Sequence, residues 1–126
     1  MSGQLSAAEE ELIEHLAASA RGPRQNGLFA VWLFLRACDG ALPPDPLKPR
    51  THRKRVEALE RRLSSLALPP PLKRAFALAL RELAEGTPSA AVVALKHLAA
   101  PARETLGPKI GEVLERAATR ARGATA

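Results

Sequence analysis

From Leu28 to Leu35 the chain reads L-F-A-V-W-L-F-L, eight apolar residues with no polar interruption. A helix that is apolar all round must be wrapped by protein or lipid, and eight residues fall well short of the roughly 20 that a bilayer crossing needs. The stretch runs on through Arg36 to Cys38 without a breaker, and no other segment offers a convincing strand to pair with. A helix over 27–38 is therefore favoured over the competing strand reading. Asn26 is its expected N-cap, with Gln25 or Gly27 as alternatives. This helix is the expected hub, with Leu28, Phe29, Val31, Trp32, Phe34 and Leu35 in the core, Trp32 and Phe34 supporting whatever surface functions.

Elsewhere apolar positions recur every three or four residues, the period of a helix with one buried face. Ser6 followed by Glu9 fits a capping box, and Leu12, Ile13, Leu16 and Ala20 give helix 1, about 6–20, a narrow apolar stripe beside a solvated Glu face. Gly22 and Pro23 end it. Thr51 opens helix 3, about 52–66, in which Val56, Leu59, Leu63 and Leu66 form a seam that can pack within the chain or against a second copy. On its exposed side Arg53 with Glu57, and Glu57 with Arg61, stand at i,i+4.

Three prolines at 69–71 separate that helix from helix 4, about 71–85, whose inner face carries Leu72, Phe76, Leu80 and Leu83. Ala75, Ala77 and Ala79 let a neighbouring helix approach, and Gly86 stops the helix. Thr87 and Pro88 start helix 5, about 88–99, with Ala91, Val92, Leu95 and Leu98 inward. Pro101 ends it, leaving a short turn over 101–106. Helix 6, about 109–122, buries Ile110, Val113, Leu114, Ala117 and Ala121 and turns Glu112, Arg116 and Arg120 to solvent. The fold class expected is all-α, a compact bundle of five or six short helices around a central apolar helix. It forms a single domain over 1–126 with short flexible termini and a proline-rich connection at 39–50.

Composition changes this picture little. At 126 residues the chain has room for one modest core, and 46% apolar residues with only 3% aromatics favour close-packed helices over a sandwich. Charge changes it more. The net charge is +6, while residues 1–20 contain Glu9, Glu10, Glu11 and Glu14 and no Lys or Arg. Over 48–62, Lys48, Arg50, Arg53, Lys54, Arg55, Arg61 and Arg62 face only Glu57 and Glu60, a local balance of +5. Such a segment suits nucleic-acid phosphate, an acidic protein or an anionic membrane surface, although a solvated face has the same composition.

Catalytic chemistry has few candidates. His15, His52 and His97 are far apart and belong to no ligand motif. Cys38, the sole cysteine, stands at the end of a buried helix, where the dipole does not activate a thiol. The four N-terminal Glu lack the Glu-x-x-His pattern of a carboxylate metal site, and there is neither a Gly-rich nucleotide loop nor a zinc-finger, RNA-recognition or helix-turn-helix pattern. The N-terminus is acidic rather than basic-then-apolar, unlike a secretory leader, which with the lone cysteine points to the cytoplasm. Two functions remain open. The first is a non-enzymatic protein-interaction or assembly module, such as a scaffold or adaptor, taking another protein or a second copy of itself, with no cofactor, metal or membrane insertion. The second is a weakly sequence-specific protein that binds the nucleic-acid backbone through the 48–62 segment.

Overall fold

The computed structural model describes residues 6–41, 49–87 and 89–125. They form six helices and, among the described residues, no strand: α1 (Ala7–Ser19), α2 (Gly22–Ala41), α3 (Pro49–Ser64), α4 (Pro70–Glu85), α5 (Ala90–Leu106) and α6 (Pro108–Thr125). The fold is the expected all-α bundle. α2 packs on α1, α3 and α5, and α5 lies against α4 and α6, so the apolar α2 and the Ala-rich α5 together organise the core. None of these helices is long and apolar enough to cross a membrane.

Local chemistry explains most of the boundaries. Ser6 closes the capping box in both directions, its Oγ accepting from the Glu9 N–H at 3.2 Å and its own N–H donating to Glu9 Oε1 at 3.1 Å. α1 stops at Ala20, where the chain turns extended. Gln25 Nε2 donates to the Ala17 carbonyl at 2.9 Å and Arg21 to that of Ala20 at 2.8 Å, so side chains from the next segment satisfy the exposed helix end. Gly22, at φ +63, makes the reversal. Pro70 and Pro71 lie in the first turn of α4, which ends on Gly86 in the left-handed region at φ 73, as its sequence predicts.

Four helices depart from their expected bounds by two or more residues. α2 starts at Gly22 rather than 27, since Pro23 fits a first turn where its missing N–H costs nothing. Asn26 is thus inside the helix, and its Nδ2 donates to the Ala67 carbonyl at 3.0 Å. α3 starts at Pro49, leaving Thr51 within it, and ends at Ser64, two residues before the expected end. Of the expected 39–50 connection, 39–41 and 49–50 are helical, while 42–48, including Lys48, lie outside the described residues. α5 begins at Ala90 after Ser89, with Pro88 also outside them, and does not stop at Pro101. An interior proline costs a helix about 3 kcal/mol. Here Leu98, Ala99, Ala102 and Leu106 are all buried around it, and their packing holds the last turns in line. Finally, α6 runs to Thr125, past its expected end at Arg122, since Gly123 alone is a weak breaker.

α5 and α6 are joined by Gly107 alone, at φ 114 and followed by Pro108. Gly111 lets the two helices meet closely: a Cβ there would lie 2.8 Å from Arg103 Cβ and 2.7 Å from its Nε. That clearance lets the Arg103 guanidinium cross to Glu115 Oε1 at 2.6 Å.

The core contains Leu28, Val31, Phe34, Leu35, Val56, Leu59, Leu63, Phe76, Leu80, Leu83, Leu95, Leu98, Ile110, Val113 and Leu114, all buried as expected, with Leu66 half-buried at its edge. Two members of the expected core are not enclosed. Phe29 is 42% exposed and Trp32 half-buried, because α2 turns the line Gln25–Phe29–Trp32–Arg36 away from the bundle. Ala77, expected beside a neighbouring helix, also faces outward on α4.

Candidate functional site

The residues proposed from sequence as anion contacts lie on α3. Arg50, Arg53, Lys54, Arg55, Arg61 and Arg62 are all exposed. At about 100° per residue, Arg50, Lys54 and Arg61 share the outward line opposite the buried Val56, Leu59 and Leu63. Arg55 and Arg62 fall on one flank, and Arg53 joins Glu57 and Glu60 on the other. The i,i+4 pairs expected for Glu57 with Arg53 and Arg61 do not close to 4.0 Å. Immobilising two long exposed side chains offsets most of the few tenths of a kcal/mol such a pair gains.

The potential catalysts are scattered. His15 is exposed, and His97, 42% exposed, is 4.0 Å from Glu82. His52 is buried between α3 and α4 with Nε2 2.8 Å from the Leu83 carbonyl. A carbonyl only accepts, so Nε2 carries the proton, and Nδ1 is left without a hydrogen-bond partner. Cys38 is buried in the core. No group of three or more potential metal ligands occurs among the described residues.

The acidic first turn of α1 is not a uniformly solvated face. Glu9 is buried, and its carboxylate accepts from Arg120 Nη2 at 2.6 Å and Arg116 Nε at 3.1 Å, tying α1 to α6 across 107 residues of sequence. Burial alone would raise the Glu9 carboxyl. The guanidinium of Arg120, the Ser6 N–H and Arg116 outweigh it and hold the carboxyl below its ordinary value. Arg116, expected on the solvent side with Glu112, lies 3.8 Å from that residue as well.

At the next residue, Glu10 begins a different structure. Trp32 Nε1 donates to Glu10 Oε2 at 2.9 Å, and Arg36 lies over the indole ring at 5.7 Å from its centroid and 3.9 Å from the same carboxylate. Phe29 also stacks on Trp32, ring centroids 5.8 Å apart at 19°. The aromatic pair is thereby fixed before any ligand arrives, one ring by a charge-assisted hydrogen bond and the other by stacking. It forms one wall of an open groove of about 490 Å³ between α1 and α2. Ile13 and Ala17 supply the apolar α1 side, Glu14 joins Glu10 in making it acidic, and Gln25 and Asn26 complete the lining, which among the described residues contains no Lys or Arg, with Arg36 at its edge 3.9 Å from the Glu10 carboxylate. In a chain of net charge +6 this is a locally acidic, aromatic site.

A second concavity, about 500 Å³ between α5 and α6, has an Ala99, Ala100 and Ala118 lining with Lys96, Arg103, Glu104 and Glu115 around it. Lacking an aromatic or large aliphatic anchor, it offers a ligand little apolar area to cover. The α1–α2 groove was missed in the sequence because eight consecutive apolar residues have no period to reveal an outer face. The signal lay outside the run: Gln25 and Arg36 stand at i−4 and i+7 from Phe29, on its own line of the helix. A scan against protein-family models, a search of curated proteins and a search of solved structures each return no match, so the groove and the basic face of α3 are understood from their own chemistry.

Proposed function

We propose that the protein is a non-enzymatic interaction module that docks a cationic, apolar protein segment in the α1–α2 groove. The observation that carries this reading is the exposed Phe29 stacked on a Trp32 anchored by Glu10, a rigid aromatic surface rimmed by carboxylates. Buried aromatic anchors dominate interface energetics, and a groove of this size falls within the range of about 300–1,000 Å³ that holds a ligand or a few side chains. The fitting ligand presents an aliphatic side chain to the rings and Lys or Arg to Glu10 and Glu14. The dispersed histidines and the core position of Cys38 favour binding over catalysis.

The single Trp lies in the groove, so its emission reports occupancy directly. Titration with a synthetic helical peptide carrying leucine flanked by arginines is expected to give a saturable change in Trp32 fluorescence with micromolar affinity. The Phe29→Ala variant should lose at least about tenfold in affinity, the value of one good interface anchor, while its unfolding midpoint stays close to that of the wild type. An emission spectrum indifferent to the peptide, or equal affinity in Phe29→Ala, would overturn this assignment.

A second reading, binding to the nucleic-acid backbone, is favoured by the six exposed α3 cations, none of which has a carboxylate within 4.0 Å among the described residues. Its signature is salt-sensitive binding of labelled duplex, measured by anisotropy at two ionic strengths. Replacing Arg53, Arg55 and Arg62 by Gln should weaken binding and flatten the salt slope by up to about three phosphate contacts. Binding that ignores those replacements rules out α3 as the site.

A further inference from the structure

We infer that the occupant of the α1–α2 groove is the outer face of α4 from a second copy of the chain. This rests on the groove being a docking site and adds the identity of what it receives. Among the described residues two large hydrophobic side chains are exposed, Phe29 at 42% and Leu78 at 49%. They are opposite in shape and in charge. Phe29 lies in a concave site whose charged lining residues are Glu10 and Glu14. Leu78 projects from the outward face of α4, with Arg74 at i−4, Arg81 at i+3 and the exposed Ala77 beside it. Arg74 and Arg81 have no carboxylate within 4.0 Å among the described residues.

On the same face Glu82 lies 4.0 Å from His97, an ion pair only when that imidazole is protonated, and Glu85 stands two turns beyond Leu78, at the end of the helix. The part of α4 centred on Leu78 offers an aliphatic knob between two arginines, the complement of a groove with aromatic rings on its α2 side and two glutamates on its α1 side. It is solvent-exposed in the folded chain, so it does not fill its own groove; a second molecule does.

Groove and knob are different surfaces of one chain, so the contact either closes as a reciprocal two-fold pair or, as a heterologous contact, continues head to tail. One helix face in one groove is small beside the roughly 800 Å² per partner of a stable interface. Association is therefore expected in the micromolar range and weakened by salt.

Sedimentation velocity over a concentration series of the full chain tests this. The wild type is expected to gain mass with concentration. Phe29→Ala, which removes the groove anchor and keeps the knob, and Leu78→Ser, which does the reverse, should each associate at least about tenfold more weakly. Both replaced side chains are exposed, and unchanged thermal unfolding of each variant shows that it folds. Mixing the two variants should restore a dimer and nothing larger, because one intact groove then meets one intact knob. A wild type that stays monomeric at every concentration, association unchanged in either variant, or a mixture that fails to recover the dimer overturns the inference. A monomer whose Trp32 still responds to the arginine-flanked peptide overturns self-association alone and leaves the groove reading standing, whereas no response to peptide removes both.

Discussion

Replacing Phe34 by alanine is expected to cost the fold about 3–5 kcal/mol, the range for deleting a fully enclosed aromatic ring. Phe34 has no exposed surface, and its ring meets that of Phe76 on α4 with centroids 5.8 Å apart at an angle of 57°. The tilted geometry adds to the area buried, about 0.5–1.5 kcal/mol in comparable pairs. Leu28, Val31 and Leu35 on the same helix are equally enclosed, so the surroundings have little freedom to collapse into the void. At about 0.05–0.15 kcal/mol per residue, a chain of 126 residues has so little net stability that this loss is a large part of it. Urea unfolding followed by far-ultraviolet circular dichroism should show the midpoint falling sharply with the slope unchanged. Phe29→Ala, five residues earlier in the same apolar run, is the internal control and should cost less than about 1 kcal/mol. Equal losses at the two positions would contradict the orientation of α2.

That pair of phenylalanines marks the limit of what the residue pattern reveals. Where apolar and polar residues alternate with helical period, as in α3, α4 and α6, the buried face is legible because each polar position excludes one orientation. Within L-F-A-V-W-L-F-L no position excludes any. Stops and starts are legible where the chemistry is local: Ser6 with Glu9, the prolines before α4, and Gly86 each act within one turn. Pro101 is not, because whether a helix survives an interior proline depends on tertiary packing, here against α4 and α6, and not on the residues of its own turn. The basic residues of α3 were legible as a composition, and the structure adds only that those described share an exposed helix. Glu9 was legible as a capping residue and not as the partner of Arg116 and Arg120, since nothing in its own neighbourhood encodes contacts more than a hundred residues away.

Glu9 consequently has two roles that one substitution separates. Glutamine at the same position retains an oxygen for the Ser6 N–H, since Glu and Gln both serve in a capping box, but removes the charge that the two arginines share. Hydrogen bonds to charged groups contribute about 1.5–3 kcal/mol each. The contribution here is reduced because Arg116 is 53% exposed and Arg120 32%, so water solvates both once the carboxylate is gone. Glu9→Gln is therefore expected to lose about 2 kcal/mol at neutral pH, with α1 retaining its helical start and the loss falling on its attachment to α6. The pH dependence has a definite sign. Because the folded carboxyl lies below its ordinary value of 4.5, its stabilisation is fully present above that value and disappears as the pH falls through the folded one. The difference in unfolding free energy between wild type and Glu9→Gln should hold constant from neutral pH down to about 5 and then shrink in more acidic solution. Carboxylates common to both proteins cancel in that difference, so the shrinkage belongs to Glu9. A gap that does not change with acidification would mean that the arginines contribute nothing to the charged form, and the tie between the first and last helices would then rest on apolar packing alone.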